Sequence, residues 1–502
     1  MKLFLINPTR GKNSKGDFWD FKFEKRILGQ TSLIPLSLPT VAGATPKDIE
    51  TTIIDEKVDE INFDEKVDIV GIGAMTPNIT RAYEIADEFR KRGVTVVMGG
   101  IHASMMPDEA LKHADSVVIG EADCLWRQVI NDFKEGKLQK SYRFTSYPEL
   151  EDISAPRYDL VKSEKYVINQ VQTSRGCPFD CDFCSVKAFS GQQFRLKNIE
   201  QVVEEIKSLY PNYVINILGY DLKLPKTLLF ADDNIIGNKS YSRKLFKAIM
   251  PLKLSDWYCQ SSINVGRDNE MLSMMKEAGC QSMIIGIESV NPETLMGMDK
   301  KINKVDEYYE CIYNIQSHGI KVLGSFVLGS DAEDDSIFEK TVKFIKENNL
   351  IYNMINILTP LPGTRLFERL ESEDRILHKD WERYNFESVC FKPKQMSVET
   401  LAEGRRWVNK EIYALNNIHE RYENFLKQKD NKEVKGFEES FTTMTFGDKV
   451  FSAAMLIKIL YKVNSEQRRF LLGIIKKHFE GKETNFGNAI AELSFNDYAF
   501  NL

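Results

Sequence analysis

Three cysteines, Cys177, Cys181 and Cys184, stand in Cys-x3-Cys-x2-Cys spacing inside Gln172-Thr-Ser-Arg-Gly-Cys-Pro-Phe-Asp-Cys-Asp-Phe-Cys184, directly after an apolar, strand-like run. Thiols this close on one loop point to metal ligation. A cubane four-iron cluster is normally held by a thiolate at every iron, so a loop offering three leaves one iron open to bind another molecule. A structural zinc would want a fourth Cys or His nearby to close a tetrahedron, and the nearest histidines on either side, His113 and His318, are distant in sequence. Unliganded buried thiols are the remaining alternative, but they would not require Gly176 and Pro178 to shape a tight loop.

The spacing and its setting resemble the radical S-adenosylmethionine (radical SAM) enzymes. The resemblance implies that the free iron chelates the amino and carboxylate groups of SAM. It also implies that a cluster electron cleaves the sulfonium to give a 5'-deoxyadenosyl radical, with the protein orienting what the cofactor performs. Phe230-Ala-Asp-Asp-Asn234 resembles the segment that meets the SAM amino group, with Asp232 and Asp233 in place of the frequent Gly-Gly-Glu run. Gly286-Ile-Glu-Ser289 matches a family signature whose Glu288 and Ser289 would reach the ribose and methionine moieties, and Asn291-Pro292 and Lys300 continue it. Gly324-Ser-Phe-Val-Leu-Gly329 resembles the adenine-contacting segment, with Leu328 as the implied contact and Glu333 arriving later than the usual spacing. Phe183, inside the cysteine loop, is the remaining implied SAM contact. Plainer roles stay open: either aspartate could cap a following helix, Glu288 could be an ion-pair partner, and Ser289 could start a helix. Thr359-Pro-Leu-Pro-Gly-Thr364 also recurs in the family, although prolines and a glycine alone fix a rigid loop.

These motifs need elements to carry them. From Lys165 onward six strand candidates alternate with helices: Val167–Thr173, Thr227–Ala231, Asp256–Gln260, Ser282–Ile287, Lys321–Leu328 and Tyr352–Leu358. Six parallel βα units make a partial (β/α)6 barrel whose site lies at the carboxyl ends of its strands, where every motif falls. Residues 1–145 read as a second α/β unit, with apolar runs at Lys2–Ile6, Thr51–Asp55, Ile69–Ile72, Thr95–Gly99 and Ser116–Ile119 and an amphipathic helix over Ile79–Arg92. That alternation predicts an open, parallel, doubly wound Rossmann-like sheet with ligands beyond its carboxyl ends.

This half resembles the cobalamin-binding domain found ahead of many radical SAM cores, through Ile34-Pro-Leu-Ser-Leu-Pro-Thr-Val-Ala42, Val70-Gly-Ile-Gly, Val97-Met-Gly-Gly-Ile-His102 and Ala114-Asp-Ser-Val-Val-Ile-Gly-Glu-Ala122. The implied cobalamin contacts are Thr9, Arg10, Gly73, Met75, Thr76, Gly99, Gly100, His102, Gly120 and Glu121. No Asp-x-His-x-x-Gly motif occurs, so the resemblance implies cobalamin without a protein histidine ligand, and His102 reads as a structural or tail-contacting residue. A Rossmann-like domain that binds a nucleotide or nothing is the alternative.

The boundaries expected are 1–145 for the first domain, 146–165 for a linker with Pro156 and Arg157-Tyr-Asp-Leu160, 166–391 for the barrel and 392–502 for a helical accessory domain. In the last region Thr400–Asn416 and Val450–Tyr461 read as helices and Lys427–Lys435 as a loop. A basic helix near Arg468–Phe479 suits peripheral contact with an anionic membrane or shielding of a hydrophobic substrate, or is an ordinary helix with a solvated face. Cys124, Cys259, Cys280, Cys311 and Cys390 are solitary and predict no second cluster.

Composition narrows the class. The chain has 502 residues, 67 basic and 73 acidic side chains and a net charge of -6, which provides no electrostatic footprint for nucleic acid. Eight cysteines in such a chain are not a disulfide framework, Met1–Pro8 is strand-like rather than a signal peptide, and no apolar run is long enough to span a bilayer. A cytoplasmic protein is expected. The whole arrangement is similar to cobalamin-dependent radical SAM proteins that include hopanoid and bacteriochlorophyll side-chain methylases. That implies C-methylation of an unactivated carbon through a 5'-deoxyadenosyl radical and methylcobalamin, on a small-molecule substrate for which a hydrophobic molecule is one option, with a donor such as flavodoxin or ferredoxin supplying electrons. Cyclisation, ring contraction or oxidation with the same cofactors is the alternative, and a non-catalytic cobalamin or iron–sulfur sensor a more distant one.

Overall fold

The computed structural model describes residues 1–10, 31–144, 146–191, 193–209, 213–217, 220–224, 227–254, 256–428 and 465–479. In chain order the first strands are β1 (Lys2–Asn7), β2 (Thr31–Leu33), β3 (Glu50–Asp55), β4 (Ile69–Gly73), β5 (Thr95–Gly99), β6 (Ser116–Ile119) and β7 (Ser141–Arg143). All but β2 form one parallel sheet of order β3-β1-β4-β5-β6-β7. The apolar runs are short and buried, as strands covered on both faces must be. The helix Ile79–Lys91 presses Ile79, Ala82, Tyr83, Ile85, Ala86 and Phe89 onto one face, a stripe at helical spacing. Because β1 neighbours β3 on one side and β4 on the other, the topological switch point lies between β1 and β4, where such sheets take ligands.

The second part comprises β8 (Tyr166–Val171), β9 (Ser174–Arg175), β10 (Arg195–Leu196), β11 (Tyr213–Ile217), β12 (Tyr220–Leu224), β13 (Thr227–Phe230), β14 (Trp257–Ser261), β15 (Cys280–Glu288), β16 (Lys321–Leu328) and β17 (Tyr352–Ile357). Its main sheet is parallel, in the order β17-β16-β15-β14-β13-β8-β2. The six expected strands are present, and a seventh joins them. Thr31–Leu33, which lies inside the segment expected to belong wholly to the first domain, crosses over and pairs with β8. A run of three residues has no periodicity to betray which sheet it serves. The antiparallel β11–β12 hairpin was likewise not anticipated.

Alternation along these strands separates two environments. Phe230, Trp257, Met283, Ile285, Phe326 and Ile355 face the flanking helices in the main core. Leu229, Tyr258, Ile284 and Leu323, with Ile168 and Met354, line the concave face. The free edge at β17 is covered by the helix Val398–Tyr413, where Arg405 Nε donates to the Ile355 carbonyl at 2.7 Å and the Asn353 N–H donates to Tyr413 Oη at 2.7 Å. The helix expected over Thr400–Asn416 is thus Val398–Tyr413, followed by a second, Leu415–Gln428, whose last turn holds Lys427. The helix Ser465–Phe479 buries Gln467 and Leu471 and exposes Arg468 and Arg469. Val450–Tyr461 lies outside the described residues. Among the described residues no helix is long and apolar enough to cross a membrane.

The two sheets are pinned by polar contacts as well as by β2. Asp55, at the end of β3, accepts from Tyr166 Oη at 2.8 Å and from Asn7 Nδ2 at 2.9 Å, while burial pushes its carboxyl above the usual range. Tyr166→Phe would strip one donor from a buried carboxyl, so a loss of about 1–3 kcal/mol is expected in urea unfolding. An unchanged midpoint would mean that water replaces the phenol.

Candidate active site

The cysteine loop starts where β8 ends. β9 and β10 pair briefly, with Arg175 opposite Arg195, and the chain then turns at Gly176, whose φ is +91°. A Cβ there would stand 2.3 Å from the Gln193 carbonyl oxygen, so only glycine fits. The rest of the loop is fastened to later strands. Asp182 N–H donates to the Met298 carbonyl at 3.2 Å, Leu366 N–H to the Asp182 carbonyl at 3.0 Å, and Arg365 Nη2 to the Asp180 carbonyl at 2.7 Å.

The donor set fits a cluster better than a zinc ion. Tetrahedral zinc with Zn–S of ~2.3 Å needs sulfurs about 3.8 Å apart. Among the described residues, the group of three ligand types drawn within 4.8 Å of one another is Glu121, Asp123 and Cys124, and the three loop cysteines are spread wider. Burial pushes the Cys181 and Cys184 thiols up to about 11, and Lys300 opposes that rise. Thiolates here therefore depend on nearby positive charge, such as a metal centre brings. Phe183, between two of these cysteines, is half-buried against the main core.

The two aspartates after β13 serve different ends. Asp232 is fully buried and accepts from Thr173 N–H at 3.1 Å, from Thr173 Oγ1 at 2.8 Å and from Ser174 Oγ. Its carboxylate braces the entry to the cysteine loop in this way. Asp233 accepts a single bond, 3.1 Å from Gly176 N–H, and burial pushes its carboxyl up to about 6. It stands beside the loop with acceptor capacity to spare.

Glu288 ends β15 in a conformation the sequence does not disclose, with φ at +62° and the register with β16 broken between Gly286 and Glu288. A left-handed glutamate costs about 1–3 kcal/mol and persists where surroundings impose it. The Glu288 carboxylate meets Lys300, whose Nζ donates to Glu288 Oε1 at 2.8 Å, with side-chain exposures of 16% and 8%. Gly286 makes room, because a Cβ on it would lie 2.4 Å from Glu288 Oε1. Ser289 donates to Glu333 Oε1 at 2.6 Å, and Glu333 also accepts from Gly329 N–H at 2.9 Å and Ser330 N–H at 3.2 Å. Glu333, known from sequence only as arriving late, thus latches the ends of β15 and β16 together. Leu328 has its side chain in the helix-facing core, which leaves its backbone at the end of β16 as the part that could meet adenine.

On the first sheet, Gly73 has open space where a Cβ would be and Met75 is 54% exposed, so room remains above the switch point. Gly99 ends β5, and Gly100, at φ +90°, packs so tightly on Ala74 that a Cβ there would stand 2.6 Å from its carbonyl oxygen. Gly120 N–H donates to Ser104 Oγ at 2.9 Å. Thr9 N–H donates to Glu56 at 3.0 Å, and Arg10 is half-buried beside it. His102 is buried with Nδ1 at 3.3 Å from Thr76 Oγ1 and Nε2 at 3.4 Å from Glu109 Oε1, and Trp381 packs against its ring. Both ring nitrogens and the Thr76 hydroxyl are thereby engaged in the scaffold.

The Glu121 side chain is committed to ion pairs. Its carboxylate binds Arg175 Nη1 at 2.7 Å and Arg195, and Asp123 takes Arg175 Nη2 at 2.8 Å. All four side chains are nearly inaccessible. Burial alone would lower the Arg175 guanidinium, and Asp123 and Glu121 instead hold it above its ordinary value. Glu121 is therefore structural and ties the end of β6 to the residues on both sides of the cysteine loop. The same pairing neutralises the carboxylates that lie beside Cys124, whose thiol burial pushes up to about 12.

One residue escaped sequence reasoning. Gln260 is exposed in the middle of a strand whose neighbours Cys259 and Ser261 are buried. It shares the concave face with Tyr258 and lies in register with Ile284. The signal was present as a polar residue at the concave-face parity of β14.

A cysteine loop at the mouth of a parallel half-barrel, clamped against a doubly wound sheet, defines a radical SAM fold with an added α/β cofactor domain. A radical SAM superfamily model matches residues 171–345, a B12 binding domain model residues 32–129, and a model described as a domain of unknown function, DUF4070, residues 364–500. The bacteriochlorophyllide d C-8(2)-methyltransferase of Chlorobaculum tepidum is 32% identical over 71% of this chain and 80% of its own. The bacteriochlorophyllide d C-12(1)-methyltransferase of the same organism is 30% identical over 76% and 82%. The solved structure of the cobalamin-dependent S-adenosylmethionine radical enzyme OxsB superposes with a TM-score of 0.63 at 13% identity, covering 99% of this chain and 83% of that one, a likeness of fold. The chain belongs to the B12-binding radical SAM family.

Glu121→Gln tests the clamp. It leaves two buried guanidinium groups with one carboxylate, and breaking such a set costs about 3–5 kcal/mol. A clear fall in the thermal midpoint is the expected result, and an unchanged one would mean that solvent reaches the interface.

Proposed function

We propose that this chain is a cobalamin-dependent radical SAM methyltransferase that adds a methyl group to an unactivated carbon of a small hydrophobic substrate. The observation that carries this reading is the buried bridge from Glu121 and Asp123 to Arg175 and Arg195, which holds the carboxyl end of the first sheet against the cysteine loop. A molecule held between them reaches both cofactor sites at once, in a fixed orientation and away from bulk water. When bound, the reduced cluster supplies the electron that converts SAM to a 5'-deoxyadenosyl radical, and cobalamin supplies the methyl group.

What remains for the protein is to hold and orient. Cys177, Cys181 and Cys184 hold the cluster. Asp233 takes the SAM ammonium group by charge-assisted hydrogen bonds, and Glu288, Ser289 and Phe183 border the same space. Gly73, Met75, Gly99 and Gly100 receive the cobalamin ring at the switch point. The apolar concave face supports a hydrophobic substrate, and Gln260 supplies one donor and acceptor pair to orient it. Relatives named for methylation of bacteriochlorophyllide d are compatible with that chemistry. A one-electron donor such as flavodoxin or ferredoxin feeds the cluster. The exposed Arg468 and Arg469 on the helix Ser465–Phe479 are suited to an anionic membrane surface.

Anaerobic protein reconstituted with iron, sulfide and cobalamin, then given SAM and dithionite, should release both 5'-deoxyadenosine and S-adenosylhomocysteine. Cys181→Ala should lower both to background. Deoxyadenosine without S-adenosylhomocysteine would replace methylation by cyclisation or oxidation, and neither product would leave a sensor.

A further inference from the structure

Beside the cysteine loop lies a cavity of about 240 Å³, with Pro178, Phe179, Asp180 and Cys181 on one wall and Asp299, Lys300, Lys301 and Ile302 on the other. Most cations near it are spent on exposed pairs. Arg365 is 51% exposed and shared between Asp180 and Asp299, and Lys301 is 86% exposed. Such charges are screened by water and salt. Lys300 is different, since its side chain is 16% exposed and its one ion-pair partner is Glu288.

Lys300 and Cys181 line the same cavity, and Lys300 Nζ holds Glu288 Oε1 at 2.8 Å. The backbone fixes this relation, because Asp182 N–H donates to the Met298 carbonyl, two residues before Lys300. Arg175 and Arg195, buried cations at the flanks of the loop, are paired with Glu121 and Asp123. Iron–sulfur potentials respond to local charge and burial, and a buried charge acts through a lower effective dielectric than an exposed one.

We propose that Lys300 is the electrostatic partner of the iron–sulfur cluster: its ammonium group stabilises the more negative, reduced cluster and raises the reduction potential, and its partner Glu288 moderates that effect. The assignment rests on the reading of Cys177, Cys181 and Cys184 as cluster ligands. It concerns the electron-accepting step and needs neither SAM nor substrate to be observed.

The test is a dithionite titration of the full-length reconstituted protein, without SAM, followed by electron paramagnetic resonance. Lys300→Met should shift the reduction equilibrium at least tenfold toward the oxidised cluster, which for one electron is a potential lower by about 59 mV. Glu288→Gln should shift it the other way, and Lys300→Arg should stay near wild type. Lys300→Gln, which keeps a hydrogen-bonding side chain, serves if the methionine variant loads poorly. Opposite signs are the signature of charge, since damage to the loop would move both variants together. An unchanged potential in loaded Lys300→Met, or shifts of the same sign, would overturn the assignment while leaving the cluster reading intact. Wild-type protein that takes up no four-iron cluster would overturn both.

Discussion

The structure depends on a set of buried charges at the seam between its two sheets. Arg175 and Arg195 come from the flanks of the cysteine loop, and Glu121 and Asp123 from the turn after β6. Removing four charges from water is costly, and their mutual attraction only offsets that cost when the geometry is good and the remaining hydrogen bonds are made. Here Arg175 Nε also donates to Gln172 at 2.8 Å, Arg195 Nη1 donates to the Pro148 carbonyl at 3.1 Å, and the Arg195 guanidinium lies over the Tyr147 ring at 4.8 Å. A hydrophobic seam would tolerate sliding. A network of directional bonds has one arrangement, and this one fixes how far the switch point of the first sheet stands from the cysteine loop.

The same logic appears on a smaller scale inside the half-barrel. Asp232 braces the start of the loop, Glu333 latches β15 to β16, and Glu288, in a left-handed conformation, pairs with Lys300. Carboxylates are used here as rivets because one can accept several backbone and hydroxyl bonds at once. Glu333, with donors from Ser289, Gly329 and Ser330, is the fullest example. The expense of burying it is visible in its carboxyl being pushed above the usual range.

Elements that rest on local pattern were legible in the sequence. The strands of both sheets are buried apolar runs, and the cysteine loop carries its meaning in its spacing. Partnership was not legible. Glu121 and Arg175 are separated by 54 residues, so a glycine-flanked glutamate after a strand gave no sign of its ion pair. Asp232 and Asp233 are adjacent and identical in type, yet one is saturated and the other is not. His102 attracted notice as the histidine of a strand-end loop, and its environment of Thr76, Glu109 and Trp381 is assembled from segments as far off as residue 381. The crossing of Thr31–Leu33 to the second sheet escaped for a different reason, being too short to carry a period.

These commitments change where specificity should be sought. Among the described residues, Glu121, Asp232, His102 and Thr76 have their side chains bonded within the scaffold. Asp233 and the Glu288–Lys300 pair lie next to the cysteine loop, where any ligand of an open iron must sit. Gln260 lies apart from them, among the apolar residues of the concave face. An amide on an apolar wall discriminates strongly, because a molecule that fills the space without a matching hydrogen-bonding group leaves that amide desolvated and unpaired. In the proposed function the apolar surround would favour a hydrophobic molecule, and the amide at position 260 would set its orientation.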